Sequence, residues 1–215
     1  MGTVQFGAPK ESIVFLRDSM GLTTLVEGGT YQGGTAKWAA SVFDRVFTIE
    51  NSAEMHRIAS ENLKGVPNVT LLQGDTRQHL PEIVAKNDNL IYWLDAHWSG
   101  GVTYGQDDEC PLLDELETIF ACDRNHVILI DDARLFLAPP PSPHRRQNWP
   151  TLLDVTRALP QGWDCLCHND VLVILPDSVQ SDYRDFLQRQ ITAEVTAANV
   201  PKPNMFDRIR EKVTG

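Results

Sequence analysis

Short runs of apolar and β-branched residues alternate along the chain with stretches of helical periodicity. Residues 22–27 (LTTLVE), 45–50 (RVFTIE), 69–73 (VTLLQ), 90–95 (LIYWLD) and 126–131 (HVILID) read as five strands. Between them, 35–42, 52–63, 76–85 and 110–120 read as helices; Ser52 stands at an N-cap position and Pro111 near a helix start. Strand then helix, repeated over short links, predicts an α/β fold with a mostly parallel, doubly wound sheet covered on both faces.

After residue 134 the pattern changes. Residues 134–150 form a proline-rich stretch too long for a simple connection, so a loop is expected there. A helix is expected over 152–159. Two strands over 163–168 and 170–175, joined at His168-Asn169-Asp170, predict a C-terminal antiparallel strand pair. A last helix covers 178–198, before a polar tail. No internal repeat is visible. The expected organisation is a single domain over 1–215. Residues 20–134 are its ligand-binding core, 135–150 a substrate-side loop, 151–200 the C-terminal helices and strands, and 201–215 the tail.

In open α/β sheets ligands bind beyond the carboxyl ends of the strands. Four of the predicted strands end there in an acid: Glu27, Glu50, Asp95 and Asp131. Chance rarely places four carboxylates so. The formal net charge of -10 disfavours nucleic acid and anionic membranes as partners, and His144-Arg145-Arg146 is the one short basic run. Cys110, Cys122, Cys165 and Cys167 form no CxxC pair and are expected to be buried free thiols. With no basic-then-apolar leader and no apolar run of membrane-spanning length, a cytoplasmic location is expected.

The most informative segment is Glu27-Gly28-Gly29-Thr30-Tyr31-Gln32-Gly33-Gly34-Thr35, which leaves the first strand and opens the first helix. Glycines let the backbone turn sharply and approach a ligand closely, and a helix start offers free N–H groups. Glu50, closing the next strand, suits the two hydroxyls of a ribose. No GxGxxG triplet can be read from Gly28 or Gly29, and Glu27 would repel a pyrophosphate but suits an ammonium.

On these residues the chain resembles the class I S-adenosylmethionine-dependent methyltransferases, and among them the catechol O-methyltransferase-like branch. The matching segments are LVEGGTYQGGTA, VFTIENSAEMHRIASENL, VTLLQGDTRQHLPEI, IYWLDAHW and VILIDDAR, within about 22–134. The resemblance implies a Rossmann-type methyltransferase domain. It implies that Glu27 and the loop Gly28, Gly29, Thr30, Tyr31 and Gly33 flank the amino-acid part of S-adenosylmethionine. Glu50 would hold the ribose, Asp75 would lie near the adenine, and Asp95 under the methyl-transfer site. In metal-dependent members, carboxylates at the positions of Asp95, Asp131 and Asp132 bind magnesium or another divalent cation, which hard oxygen donors suit.

The chain departs from that branch in two places. Asp95-Ala96-His97-Trp98-Ser99 replaces the usual Asp-His-Trp-Lys, so the family lysine is missing and His97 becomes the expected base. The second residue after strand five is Asp132 rather than asparagine. The long N-terminal helical lid of many relatives is also missing. Acceptor contacts are therefore expected from 98–108, from 134–149, or from a second subunit in a homodimer. The expected activity is methyl transfer to a small hydroxylated acceptor, with oxygen favoured over nitrogen. The alternatives are a nicotinamide-dependent oxidoreductase and a cofactor-binding regulatory subunit without catalysis.

Overall fold

Several helix boundaries have a local cause. In the computed structural model, which describes residues 7–96 and 108–198, the chain opens with α1 (Lys10–Met20), which buries Ile13 and Leu16. Gly21 ends it in the left-handed region at φ 64°, its N–H returning to the Arg17 carbonyl. The sequence reading had no helix here. Strand β1 (Thr24–Gly28), α2 (Gly34–Ala39), β2 (Arg45–Glu50) and α3 (Ala53–Asn62) follow, with Ser52 accepting from the Met55 N–H as the expected N-cap. Then come β3 (Val69–Gln73), α4 (Thr76–Lys86), β4 (Leu90–Leu94), α5 (Leu112–Phe120) and β5 (His126–Ile130).

The proline-rich stretch is not all loop. It begins as α6 (Ala133–Leu137), five residues that bury Ala133 and Phe136, and contains a single 3₁₀ turn over Arg146–Asn148. Prolines at 139, 140, 141 and 143 hid the short helix by breaking any periodicity after it. Next are α7 (Leu152–Arg157), closed by a Thr151/Asp154 capping box, β6 (Trp163–His168), β7 (Val171–Pro176) and α8 (Asp177–Ala198).

The seven strands lie in the order β3-β2-β1-β4-β5-β7-β6. The first five are parallel, and β7 runs antiparallel to both β5 and β6. The chain winds outward from β1 through β2 and β3, then returns to lay β4 on the other side of β1. That reversal opens a crevice at the carboxyl ends of β1 and β4, where a ligand can reach between the loops.

Strands β1, β4 and β5 are buried along their whole length, as both-face coverage requires. Burying a Leu or Ile side chain there contributes about 1.5–3 kcal/mol. All four cysteines are free, but only Cys110 is buried. Cys165 and Cys167 share a face of the edge strand β6, where coverage is incomplete, and Cys167 is exposed. The chain divides into two compact units, Met1–Gln180, which holds the whole sheet, and Ser181–Gly215. Among the described residues no helix is long and apolar enough to cross a membrane.

Candidate active site

Register places the acidic strand ends side by side. Gly28 pairs with Ile49 of β2 and Leu94 of β4, and Leu94 with Ile130 of β5. Glu50, Asp95 and Asp131 each follow those positions by one residue, so they line one edge of the sheet around the β1–β4 crevice. The backbone ladder continues into the loops: the Asp95 N–H donates to Gly28 O at 2.9 Å, and the Asp131 N–H to Leu94 O at 3.1 Å.

Glu27 is 1% exposed. The Thr48 hydroxyl donates to Glu27 Oε2 at 2.5 Å, and Thr30 Oγ1 lies 2.6 Å from Thr48 Oγ1. Burial pushes the Glu27 carboxyl up to about 8; hydroxyls of Thr48 and Thr35 oppose that rise and the nearby Glu50 charge adds to it. Glu50 accepts the Tyr31 N–H on Oε2 and the Ser52 N–H on Oε1, each at 2.8 Å. The glycine loop is thus clipped to the end of β2. Each Glu50 oxygen keeps a second lone pair for a hydroxyl donor.

Two glycines are fixed by close approach. A Cβ on Gly29, at φ +88°, would sit 2.2 Å from the Asp95 carbonyl oxygen; one on Gly28 would meet Thr76 Cγ2 at 2.9 Å. The loop therefore lies flat across the crevice with its backbone against β4. Tyr31 adopts φ 50° and is mostly exposed at the loop's outer turn.

Asp75 caps α4 by accepting the Arg77 N–H at 2.9 Å, and the Arg77 guanidinium holds both of its oxygens, at 2.9 and 2.7 Å. That hydrogen bonding keeps its carboxyl below the usual range. Arg77 also reaches Asp108 at 2.6 Å and Asp114 at 3.3 Å, tying α4 to the approach to α5. Asp75, expected near the adenine, is thus paired with the Arg77 guanidinium.

On the β4–β5 side, burial and then the charges of Asp131, Asp132 and Glu27 push Asp95 well above the carboxylate range. Burial likewise pushes Asp131 to about 7, with the Asp132 N–H at 2.8 Å opposing and the charges of Asp132 and Asp170 adding. Asp132, at φ 59°, turns the other way and pairs with Arg134 at 2.7 Å. Arg134 also pairs with Asp170 of the β6–β7 turn, whose carbonyl accepts the Ala133 N–H at 2.8 Å. Among the described residues no group of three or more acidic, histidine or cysteine side chains is spaced to hold a metal ion. Of the expected trio Asp95, Asp131 and Asp132, the third is paired with the Arg134 guanidinium.

The structure thus gathers Glu27, Gly28, Gly29, Thr30, Tyr31, Glu50, Asp95 and Asp131 at one crevice. Gly33 lies one turn on, at φ +83°, packed toward Leu63. His97 and residues 98–107 of the expected 98–108 loop lie outside the described residues. The sequence reading missed three residues. Thr48 was findable, since it precedes Glu50 by two positions and so faces the same way. Glu115 shares the buried stripe of Leu112, Leu116 and Ile119, where a lone acid stands out. It accepts the Thr76 hydroxyl beneath Gly28; burial pushes it to about 7, and its Oε2 has no partner among the described residues. Thr76 carried no signal.

No family model matches the sequence, and no curated protein matches it either. Likeness appears in three dimensions. A Klebsiella pneumoniae protein described as an O-methyltransferase superposes with a TM-score of 0.58 at 17% identity, over 80% of this chain and 81% of that one. TomG, an O-methyltransferase of Streptomyces achromogenes involved in tomaymycin synthesis and solved with S-adenosylmethionine, gives 0.57 at 13%, over 80% and 82%. An O-methyltransferase of Bacillus cereus, solved with S-adenosylhomocysteine, gives 0.56 at 17%, over 79% and 82%. The chain has the class I S-adenosylmethionine-dependent methyltransferase fold. The three structures named above are each described as an O-methyltransferase.

Proposed function

We propose that the protein is an S-adenosylmethionine-dependent methyltransferase acting on a hydroxyl of a small acceptor. The observation that carries this reading is the pair of carboxylates, Glu27 and Glu50, flanking a glycine loop pressed onto Asp95 at the crevice of this fold. An edge lined by Glu27, Glu50, Asp95 and Asp131 suits a ligand bearing an ammonium and a sulfonium. These carboxyls, ionised or neutral, offer a pyrophosphate no counter-charge, which argues against the oxidoreductase alternative. The neighbours' O-methyltransferase descriptions support oxygen as the acceptor atom.

When bound, the cofactor supplies an electrophilic methyl on a cationic sulfur. Glu27 would hold the ammonium and Glu50 the ribose hydroxyls, while the flat Gly28–Tyr31 loop fixes their separation. A cationic sulfonium beside Asp95 and Asp131 would favour their ionised forms against the burial that raises them. Direct displacement requires little of the protein beyond alignment, exclusion of water and removal of the acceptor's proton. His97, two residues after Asp95, is the proposed base. The reading includes no divalent ion, because Arg134 is the cation beside Asp132.

Calorimetry with S-adenosylhomocysteine tests the cofactor. Binding is expected in the micromolar range, about 8 kcal/mol, and Glu50→Ala should weaken it by roughly 1.5–3 kcal/mol. Tight NAD binding with no response to S-adenosylhomocysteine would overturn the reading. For the base, His97→Asn should lower turnover by about 10²–10⁴ without altering cofactor affinity.

A further inference from the structure

The only short basic run of the sequence, His144-Arg145-Arg146, has no part in the crevice described above. It belongs to the proline-rich segment, and the fold places that segment against α6. Between them lies an open cleft of about 460 Å³, within the roughly 300–1,000 Å³ that small-molecule sites occupy.

Its chemistry is unlike that of the rest of the molecule. The chain carries a net charge of -10, yet among the described residues no acidic one lines this cleft. Arg146 is the one charged side chain among the lining residues, and it is exposed. The remaining wall is mostly apolar, with Gln147 and Thr151 as its polar members. Leu137 and Leu153 stand on it 57% and 55% exposed, two of the few large hydrophobic side chains of the described residues left open to water.

The cleft is also braced from behind. Trp149, one of its lining residues, donates its indole N–H at 2.6 Å to Glu109, whose side chain is wholly buried. Glu109 further accepts the Arg145 N–H at 2.8 Å and lies 3.1 Å from His144 Nδ1. Phe136 packs on Trp149 with ring centroids 5.8 Å apart, and prolines at 139, 140 and 150 stiffen the rim. A stiff apolar cleft loses little entropy on binding.

We infer that this cleft binds a small anionic amphiphile, an aryl or alkyl body bearing a carboxylate or sulfonate. The body covers Leu137, Leu153 and Trp149, and the anion meets the Arg146 guanidinium. The volume holds one such molecule rather than a folded partner. The cleft is lined largely by the 134–149 stretch from which acceptor contacts are expected, but none of its residues belongs to the glycine loop or the acidic edge, so its binding is tested apart from the cofactor's.

Anilinonaphthalene sulfonate, a fluorescent anionic amphiphile, tests this with the intact, cofactor-free chain. Saturable binding of one dye per chain is expected. Arg146→Gln should weaken it roughly tenfold or more, the scale of a lost charge-assisted hydrogen bond. The same variant should leave binding of the uncharged analogue N-phenylnaphthylamine unchanged. Leu153→Gln should weaken both dyes. Leu153 and Arg146 are exposed, so both variants should melt like the parent chain. Three results would each overturn the inference: no saturable binding, sulfonate binding indifferent to Arg146→Gln, or displacement of the dye by S-adenosylhomocysteine. The last would put the dye in the Glu27–Glu50 crevice, and it would leave the methyltransferase reading intact.

Discussion

Thr48, in the middle of β2, donates its hydroxyl to Glu27 on the neighbouring strand at 2.5 Å, and so holds a buried carboxylate at the mouth of the crevice. With Glu27 pushed up to about 8, most of it carries a proton at pH 7 in the free protein. An ammonium ligand favours the ionised form. Binding at pH 7 should therefore release close to one proton, and affinity should rise with pH, approaching tenfold per unit below about pH 8. Calorimetry with S-adenosylhomocysteine in buffers of different ionisation enthalpy measures that proton. Thr48→Val should move the affinity midpoint to higher pH and weaken binding at pH 7 by about 1–3 kcal/mol. An unmoved midpoint would assign the titration to another group.

Gly29→Ala and Gly34→Ala should separate sharply. The first puts a methyl 2.2 Å from the Asp95 carbonyl at φ +88°. It should cost about 1–3 kcal/mol for the backbone alone, and abolish ligand binding by lifting the loop from β4. The second meets nothing within 4 Å at the first position of α2, and should be neutral or stabilising by up to about 1 kcal/mol. Thermal melts and calorimetry on the two variants check both.

Because Arg134 pairs with Asp132 and Asp170, titration of the protein with Mg²⁺ or Mn²⁺ should show no saturable site, and exhaustive chelation should leave turnover intact. Arg134→Gln leaves those carboxylates without their counter-ion and should create a Mn²⁺ site detectable by paramagnetic resonance. A stoichiometric site in the parent chain, lost in Asp131→Asn, would restore the tri-aspartate ion.

His126 opens β5 at 3% exposure, stacked on Trp163 with ring centroids 4.6 Å apart, and its Nε2 has no partner among the described residues. Burial lowers its pKa from 6.5 to about 4. Between those values the unfolded chain takes up a proton that the folded chain refuses. The native state is therefore unpenalised above pH 6.5 and progressively destabilised as pH falls toward 4, by about 3 kcal/mol in all. Urea unfolding of the parent and His126→Phe at pH 7 and pH 5 tests this: the variant should lose less stability on acidification.

The parallel half of the fold was legible because each strand is a short apolar run, four of the five closed by an acid, and periodicity and composition agree there. Glu27, Glu50 and the glycine loop were legible for the same reason. Helix α1 escaped because no strand precedes it to frame it, and α6 because prolines follow within two residues. The ion pair that claims Asp132 could not be read, since Arg134 and Asp170 meet only when the β6–β7 turn folds back over α6. Asp75 escaped similarly: its partner Arg77 sits two residues away, but only the α4 cap geometry turns the guanidinium onto it.

The place of β7 between β5 and β6 has a consequence for how the protein is made. As the chain leaves the ribosome, β1 to β5 can pair in order, but β5 then presents an unpaired edge, apolar over 127–130, until residue 176 has emerged and the hairpin can insert. A nascent or truncated chain ending in the proline-rich segment carries a sticky strand that invites pairing with other chains. Fragments cut before β6 should therefore be recovered as aggregates, and the last hairpin acts as the seal that makes the sheet safe.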